Sequence, residues 1–463
     1  MHTNNFFRGT ALGVAAAAFF LVPEGVPGQG GPNASWTVEA DTALENGVPA
    51  LEVSLPDGHR LPHAAVTDLH QKEQEPRAVA PQYLGAGGFR FEFPRVDKLS
   101  YLAMTLTDPA DGEEVFRWQS VRLSEGKRLR DHRGRQEMLP PEDFDAFWAA
   151  AKEELAAVPM EPRVTMVEGQ YTETGQLLRV ELQSVRDTTI VCWMMVPREA
   201  AAAVLGEAPP PREYPAVIVM PGYGAEQPPL DRTADGLVTL SVNPRNHGPS
   251  RDYWTAPVEH LRYNIESPED FYYRLAFLDC LRAAEFLFDQ PIVDPRRVAA
   301  EGGSQGGLFA IALGMLEPRI AVVVSNVTAF ANYPEGMLLA TAGHQTGYRS
   351  ILDEAEAVGD TDKMAAVRRS LALTDAVNLV TRLTQPLQVN MGGLDPVCPY
   401  VSGIVIVNRA PGDLPTEFNI FPAARHEVPG DMRRKNAEWV ARWLELEEVP
   451  SFPGAIVSSP WSP

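Results

Sequence analysis

A serine, an aspartate and a histidine stand at positions in this chain that suit acyl transfer. Ser304 lies within residues 302–307, Gly-Gly-Ser-Gln-Gly-Gly, which contain the G-x-S-x-G pattern. A short apolar run, residues 298–300, precedes this turn, and a helical stretch of small and apolar residues, 308–315, follows it. Strand, sharp turn and helix in this order expose a serine hydroxyl, and the glycines leave room for its strained backbone. A glycine-rich turn of this kind is more often structural than catalytic when taken alone, so the turn by itself makes Ser304 a candidate nucleophile.

The acid and the base that such a serine needs follow in the order expected of an α/β-hydrolase. Asp395 lies in the loop after a predicted strand at 386–391, and His426 follows the last predicted strand, 417–421. The three residues are about 90 and about 30 positions apart, each just past a strand. Taken singly, Asp395 fits an Asp-Pro turn and His426 a surface histidine. Their joint order favours catalysis, with His426 as general base and Asp395 orienting it.

An oxyanion that develops during acyl transfer needs two prepositioned N–H donors. One expected donor is the backbone N–H of Gln305, directly after the nucleophile. The other should come from residues 221–224, Pro-Gly-Tyr-Gly, after the predicted strand 216–220. Pro221 has no N–H, so we favour Tyr223. An ordinary glycine turn is the alternative for this segment.

The elements that must position these residues follow an alternating pattern from residue 139 onward. Apolar runs typical of buried strands alternate with helical spacing, most clearly in the predicted helices 144–158 and 271–287. This predicts a mostly parallel central sheet flanked by helices on both faces. The other predicted strands are 178–182, 189–196, 238–242 and 321–325.

A different pattern precedes this unit. Short runs of alternating polarity at 36–40, 51–55, 89–93 and 102–106 are separated by turn-rich pieces, which predicts a small β-sandwich over residues 36–124. A charged linker at 125–138, a catalytic unit at 139–448 and a flexible Pro/Ser-rich tail at 449–463 complete the expected organisation.

The N-terminus predicts export. An uncharged stretch, residues 9–22, is too short to span a bilayer and is typical of a signal peptide, which we place at residues 1–30. We expect a secreted or periplasmic protein with no stable membrane insertion after cleavage; an uncleaved anchor is the alternative.

Composition and cysteine usage narrow the function classes. The net charge of −21 disfavours nucleic acid as a partner. Three cysteines, Cys192, Cys280 and Cys398, do not make a disulfide framework, and no histidine or cysteine pair stands at zinc-ligand spacing. We therefore expect no metal, with Cys192 and Cys280 buried and Cys398 near the site.

Residues 143–446 resemble the acetyl xylan esterase and cephalosporin C deacetylase family, carbohydrate esterase family 7. The resemblance covers about two-thirds of the chain and is carried by these segments: 143–148, 222–224, 271–274, 302–307, 393–399 and 426–427. It implies an α/β-hydrolase that deacetylates small acetylated sugars or xylo-oligosaccharides without a cofactor, and it implies a possible homo-oligomer.

One segment departs from the family pattern. Where the family has Arg-Gly-Gln-Gly, this chain reads Arg245-Asn246-His247-Gly248. Asparagine tolerates the left-handed conformation, so the turn can survive, and His247 can hydrogen-bond much as glutamine does. We expect Arg245 and His247 to contact substrate or support the site. The N-terminal β-unit, which compact family members lack, is expected to be a packing accessory. The alternatives are that it alters the assembly, covers part of the active-site entrance or binds carbohydrate.

The sequence also allows two other functions. A prolyl-oligopeptidase-type peptidase also joins an N-terminal β-domain to this fold, but its β-domain is a much longer propeller. A non-catalytic carbohydrate-binding protein on a hydrolase scaffold is the third hypothesis, although it does not require Ser304, Asp395 and His426 to be present together.

Overall fold

A computed structural model describes residues 37–41, 50–55, 61–68, 75–94, 100–122, 139–333, 345–421, 424–450 and 455–456. The predicted signal peptide, the linker at 125–138 and most of the tail lie outside these residues. Among the described residues, no helix has both the length and the apolar character needed to cross a membrane.

The N-terminal unit consists of eight strands in two sheets. The strands are β1 Thr37–Asp41, β2 Ala50–Ser54, β3 His63–Asp68, β4 Arg77–Val79, β5 Gln82–Gly85, β6 Gly88–Glu92, β7 Ser100–Thr107 and β8 Glu114–Arg122. One antiparallel sheet has the order β1-β2-β6-β5 and the other β4-β3-β7-β8. Alternate residues of β2 and β7, such as Leu51, Val53, Leu102 and Met104, meet in one buried apolar cluster between the sheets. We call this unit the β-sandwich.

The larger unit contains the remaining strands and the helices. In chain order they are α1 Phe144–Ala156, β9 Arg163–Tyr171, β10 Gly175–Ser184, β11 Thr188–Pro197, α2 Ala201–Val204, β12 Tyr214–Met220, β13 Leu230–Asp231, β14 Val238–Asn243, α3 Tyr272–Phe288, β15 Val293–Gly303, α4 Gln305–Leu316, β16 Val322–Asn326, α5 Gln345–Ala357, α6 Thr361–Thr374, α7 Ala376–Leu379, β17 Leu387–Gly392, α8 Tyr400–Arg409, β18 Thr416–Phe421, α9 Gly430–Trp443 and β19 Ala455–Ile456.

A nine-stranded sheet organises this unit, with the order β18-β17-β16-β15-β12-β14-β11-β10-β9. The strands from β18 to β14 pair in parallel, and β11, β10 and β9 extend one edge antiparallel. The fold class expected from the sequence, an α/β-hydrolase preceded by a small all-β unit, is confirmed.

The strand β12 shows why the sheet carries helices on both faces. All seven of its residues are buried. Ile218 and Met220 join the core that includes α3 and α4, whereas Val217 and Val219 join a second core with Trp439 of α9. Because successive strand residues point to opposite faces, a continuous apolar run requires cover on both sides.

Two parts of the chain differ from the sequence expectation. The strand before Ser304, expected at 298–300, is the eleven-residue β15. Within the tail that we expected to be flexible, β19 pairs antiparallel with β13.

Candidate active site

Ser304 stands between the end of β15 and the start of α4. Its backbone has φ 58° and ψ −121°, a conformation that a non-glycine residue adopts only when its surroundings enforce it. The N–H of Ser304 donates to the carbonyl of Asn326, and its own carbonyl accepts from Gly307 and Ala329. Hydrogen bonds to Asn326 and Ala329, at and just after the end of β16, and to Gly307 in α4 thus hold the serine at the carboxyl end of the sheet.

Two of the neighbouring glycines, Gly302 and Gly306, are required by close contacts. A Cβ on Gly302 would lie 2.2 Å from the carbonyl oxygen of Gly306, and a Cβ on Gly306 would lie 2.3 Å from that of Met220. The first turn of α4 is therefore pressed against the ends of β15 and β12.

His426 and Asp395 form a hydrogen-bonded chain with Ser304. The Ser304 Oγ lies 3.0 Å from His426 Nε2, and His426 Nδ1 lies 2.8 Å from Asp395 Oδ2. Because a carboxylate only accepts, Nδ1 carries the proton and Nε2 is left to accept from the serine hydroxyl. The chain thus has the polarity that a general base needs.

The loops that carry the acid and the histidine are tied to each other. The N–H of Leu394 donates to Ala424, and that of Gly393 to Phe421, at 3.0 and 2.8 Å. Asp395 Oδ1 accepts from the N–H groups of Val397 and Cys398 at 2.8 and 2.9 Å, which leaves Oδ2 directed at the histidine.

The environment of His426 favours its protonated form. Burial lowers the pKa of this imidazole, but the Asp395 carboxylate raises it, and the side chain of Cys398 acts in the same direction. The net result is a pKa well above the ordinary histidine value.

The two expected oxyanion donors lie on separate loops beside the serine. Gln305 begins α4, so its N–H is among the first helical N–H groups, which lack intrahelical acceptors. Tyr223 lies in the loop after β12, whose last residue, Met220, contacts Gly306 of the same helix. The positive end of the α4 dipole also favours a negative charge at this place.

The chain matches the model of a known protein family. The acetyl xylan esterase (AXE1) family model matches residues 123–443. The chain belongs to the acetyl xylan esterase family, and it is a carboxylic ester hydrolase.

Individual members of the family show how far the similarity extends. Acetyl esterase Axe7A of Xylanibacter ruminicola is 24% identical over 319 residues, which are 66% of this chain and 68% of that protein. Acetyl xylan esterase 1 of Thermoanaerobacterium sp. JW/SL YS485 superposes with a TM-score of 0.57 at 23% identity, over 69% of this chain and 98% of that one. The acetyl xylan esterase of Paenibacillus sp. R4 gives a TM-score of 0.60 at 21% identity, over 68% and 98%.

Arg245, one of the two residues expected to touch substrate or support the site, is buried away from the serine. Its side chain makes a two-pronged ion pair with Asp279 at 2.8 Å for both contacts, and it also donates to the carbonyl of Val185. Ser184 donates to the same carboxylate. Arg245 therefore braces the end of β14 against α3 and β10.

His247 is fully buried and reaches the site through Gln305. The Gln305 amide nitrogen donates to His247 Nε2 at 2.9 Å, and His247 Nδ1 lies 3.1 Å from the carbonyl of Arg245. Burial is the main reason that the pKa of His247 falls to about 4, with Arg251 adding to the effect. Asn246, which replaces the family's glycine, has φ 65°, so the left-handed turn does survive here.

Cys398 is buried beside the histidine, whereas Cys192 and Cys280 are buried elsewhere in the core. Ligand atoms of Asp395, Cys398 and His426 lie within 4.8 Å of one another, so this group has the chemistry to accept a soft metal ion. The same carboxylate and imidazole are already joined by the hydrogen bond at 2.8 Å.

A cavity opens beside the serine between three segments. Its walls come from the loop after β12, the end of β15 and the start of α9, and they include Gly222, Glu226, Arg232, Gly303 and Val428. Gly222, Gly303 and Val428 are within two residues of Tyr223, Ser304 and His426, although the walls of the cavity do not include Ser304, His426 or Asp395.

Sequence reasoning missed His260. This buried histidine lies on a short 3₁₀ turn, His260–Arg262, and its Nε2 is 3.2 Å from the Gln305 Oε1. No spacing motif connects it to Ser304, and the helical signal of α3 begins only after it.

Proposed function

We propose that this protein is a serine esterase that removes acetyl groups from acetylated carbohydrate, such as xylan or xylo-oligosaccharides, through an acyl-enzyme intermediate. The observation that carries the proposal is the Ser304–His426–Asp395 hydrogen-bonded chain at the carboxyl end of the sheet in a member of the acetyl xylan esterase family.

The first half-reaction acylates the serine. His426 Nε2 takes the proton of Ser304 Oγ as this oxygen attacks the ester carbonyl. The tetrahedral oxyanion accepts hydrogen bonds from the N–H groups of Gln305 and Tyr223. The C–O bond to the alcohol then breaks, and His426 delivers its proton to the departing alkoxide.

The second half-reaction regenerates the enzyme. His426 deprotonates a water molecule that attacks the acetyl-serine, the same N–H groups stabilise the second oxyanion, and Ser304 leaves with the proton from His426. Asp395 holds His426 Nδ1 and stabilises the imidazolium.

The family to which the chain belongs supports a carbohydrate as the alcohol part, and the mostly apolar cavity near the serine turn also carries some polar groups. Glu226, Gln227, Arg232 and Arg433 contribute to its walls. Carboxylates accept and guanidinium groups donate, so these groups can hydrogen-bond to sugar hydroxyl groups while the apolar wall packs against the carbon skeleton of the sugar.

The peptidase alternative has less support. The described N-terminal strands form two four-stranded sheets, an arrangement that differs from a propeller. Hydrolysis of aminoacyl anilides by the purified protein would favour that alternative.

We further propose that residues 1–30 direct export and that the mature protein is a homo-oligomer. The uncharged stretch 9–22 supports the first and the family resemblance the second. The mass of the exported protein should show loss of this segment, and light scattering should give more than one chain per particle. An intact N-terminus or a monomer would contradict the respective proposal.

Comparison of 4-nitrophenyl acetate with 4-nitrophenyl butyrate tests the central proposal. The wild type should prefer acetate, and Ser304→Ala should lose at least about a thousandfold in kcat/KM. Ser267→Ala, in the turn before α3, serves as the matched control and should keep wild-type rates. Equal rates for wild type and Ser304→Ala would overturn the role of Ser304.

Acetate release from acetylated xylo-oligosaccharides tests the substrate class. Release comparable to that from simple sugar acetates is the expected result. If the aryl ester is cleaved but neither carbohydrate is, the carbohydrate substrate is wrong while the esterase activity stands.

A further inference from the structure

His260 lies outside the Ser304–His426–Asp395 chain but next to both loops that carry the proposed oxyanion donors. It is 3% exposed. Its 3₁₀ turn lies between β14 and α3, so it belongs to a third segment, separate from the loop of Tyr223 and from the Gln305 turn.

The first contact is with the side chain of Gln305. His260 Nε2 lies 3.2 Å from Gln305 Oε1, which also accepts from the Tyr273 hydroxyl at 2.9 Å. Because an amide oxygen only accepts, His260 Nε2 must carry a hydrogen. With the bond from its amide nitrogen to His247, the Gln305 side chain is fixed at both ends.

The other nitrogen of His260 is also engaged. Nδ1 lies 2.9 Å from the Asn246 amide nitrogen, which can only donate, so Nδ1 is the acceptor. Asn246 is held in this orientation by the N–H of Ala256, which donates to its side-chain oxygen at 3.0 Å. The network therefore defines a neutral imidazole protonated at Nε2.

The second contact is with Tyr223. The ring centroids of Tyr223 and His260 are 4.0 Å apart, with an interplanar angle of 37°. The Tyr223 hydroxyl donates at 3.1 Å to Glu259, the residue before His260. The His260 ring also stacks on Tyr272, a residue of α3, at 4.4 Å. The same short turn thus holds Tyr223 at its ring and at its hydroxyl.

We propose that His260 is a positioning residue that aligns the backbone N–H groups of Gln305 and Tyr223 into one oxyanion hole. The inference rests on the proposed esterase mechanism. Two donors on independent loops stabilise an oxyanion only if their relative position is held closely, because a displacement on the order of 1 Å can cost about a hundredfold in rate. His260 contacts the side chain of each donor residue and so sets the distance between the loops.

Two variants separate the two contacts. His260→Phe keeps a ring beside Tyr223 and loses the N–H to Gln305, whereas His260→Gln keeps a donor and loses the ring. We expect each to lower kcat by about tenfold, and His260→Ala by up to about a hundredfold, with KM within about threefold of wild type. The exposed His63 provides the matched control, His63→Ala, which should leave kcat unchanged.

Inhibition by phenylboronic acid supplies a readout that a purely structural role would not move. The boronate adduct on Ser304 is tetrahedral and anionic, so one of its oxygens occupies the oxyanion hole. The inhibition constant should rise in each His260 variant in proportion to the loss of kcat/KM. The acid limb of the pH profile, set by His426, should stay in place.

The outcomes distinguish this inference from the mechanism on which it rests. If Ser304→Ala is as active as wild type, the mechanism itself fails. If Ser304→Ala is inactive but all three His260 variants keep kcat within twofold, only the positioning role is wrong. A loss of kcat without weaker boronate inhibition also overturns it. Phe and Gln retain much of the side-chain volume, and thermal unfolding identifies a variant that has lost its fold.

Discussion

At the scale of single residues, the site depends on which atom of each side chain is left to act. The carboxylate of Asp395 uses one oxygen to accept two backbone N–H groups and the other to hold His426 Nδ1. This arrangement leaves Nε2 facing the Ser304 hydroxyl. Replacing Asp395 by asparagine removes the negative charge and keeps the shape of the side chain, so it tests the role of this charge directly.

Asp395→Asn should lower kcat by about 10⁴-fold, because an asparagine amide can stabilise the wrong tautomer of His426 and cannot stabilise its imidazolium.

The pH dependence of kcat/KM should report the raised pKa of His426. In wild type, His426 acts as base only when it is neutral, so kcat/KM should increase with pH to a midpoint above about 6.5. In the variant burial dominates, and the midpoint of the residual activity should move to lower pH. A midpoint that does not move would show that Asp395 does not set the pKa.

The variant His247→Gln tests how a titratable side chain in the core affects the pH dependence of the free energy of unfolding. The folded pKa of His247 is about 4, below that of an unfolded histidine, so between about pH 6.5 and 4 the unfolded chain binds the extra proton. The stability that His247 contributes in its neutral form is complete above pH 6.5 and falls as the pH is lowered, by about 2 kcal/mol at pH 5. Glutamine can accept from Gln305 and does not titrate, so the variant should lack this loss.

Urea unfolding of wild type and His247→Gln at pH 7.5 and 5 measures the difference. The comparison removes effects common to both proteins, such as that of Asp375, whose pKa burial raises to about 6. The exposed His63→Gln serves as control and should follow wild type. Parallel pH dependence of wild type and His247→Gln would contradict a buried neutral histidine.

At the scale of elements, sequence patterning predicted the strands and the order of the site loops but not the network behind them. Strands such as β12 are continuous apolar runs, and a short run of this kind is typical of a buried strand. The turn at Ser304 was recognisable because close packing requires glycine at positions such as 302 and 306. His260 was not, since the path of residues 244–271 is set by packing against α3 and by hydrogen bonds to distant residues.

Gly306→Ala tests the packing of α4 against the oxyanion loop. The new Cβ would lie 2.3 Å from the Met220 carbonyl oxygen and 3.1 Å from that of Pro221, and backbone atoms cannot move away cheaply. We expect a loss of about 1–3 kcal/mol in the free energy of unfolding and a lower kcat, because the two oxyanion loops are pushed apart. Gly412→Ala meets nothing within 4 Å and should match wild type in both. Equal behaviour of the two variants would refute this account of the glycine requirement.

At the scale of the whole molecule, the β-sandwich is in contact with the acid loop. Leu394, directly before Asp395, is partly buried and packs against the cluster formed by β2, β3, β6 and β7. The same residue donates its N–H to Ala424 in the histidine loop. A unit that precedes the region matched by the family model thus packs against the residue next to the proposed acid, which favours a supporting role for it.

Leu394→Ala should reveal this support. Loss of the contact removes apolar packing between the β-sandwich and the acid loop, and a less well held Asp395 should lower kcat by roughly threefold to tenfold. Leu352→Ala is the matched control: Leu352 is also partly buried, but it packs in α5 against the large core. Both variants should lose stability by about 1–2 kcal/mol in thermal or urea unfolding, since both truncate a half-buried leucine. Only Leu394→Ala should lose activity on acetylated xylo-oligosaccharides and 4-nitrophenyl acetate alike, because a defect at Asp395 affects every substrate.

Two other outcomes would contradict a supporting role of the β-sandwich. Loss of activity on the oligosaccharide alone would instead assign the β-sandwich to carbohydrate binding. Equal kcat in the two variants would leave it a packing accessory.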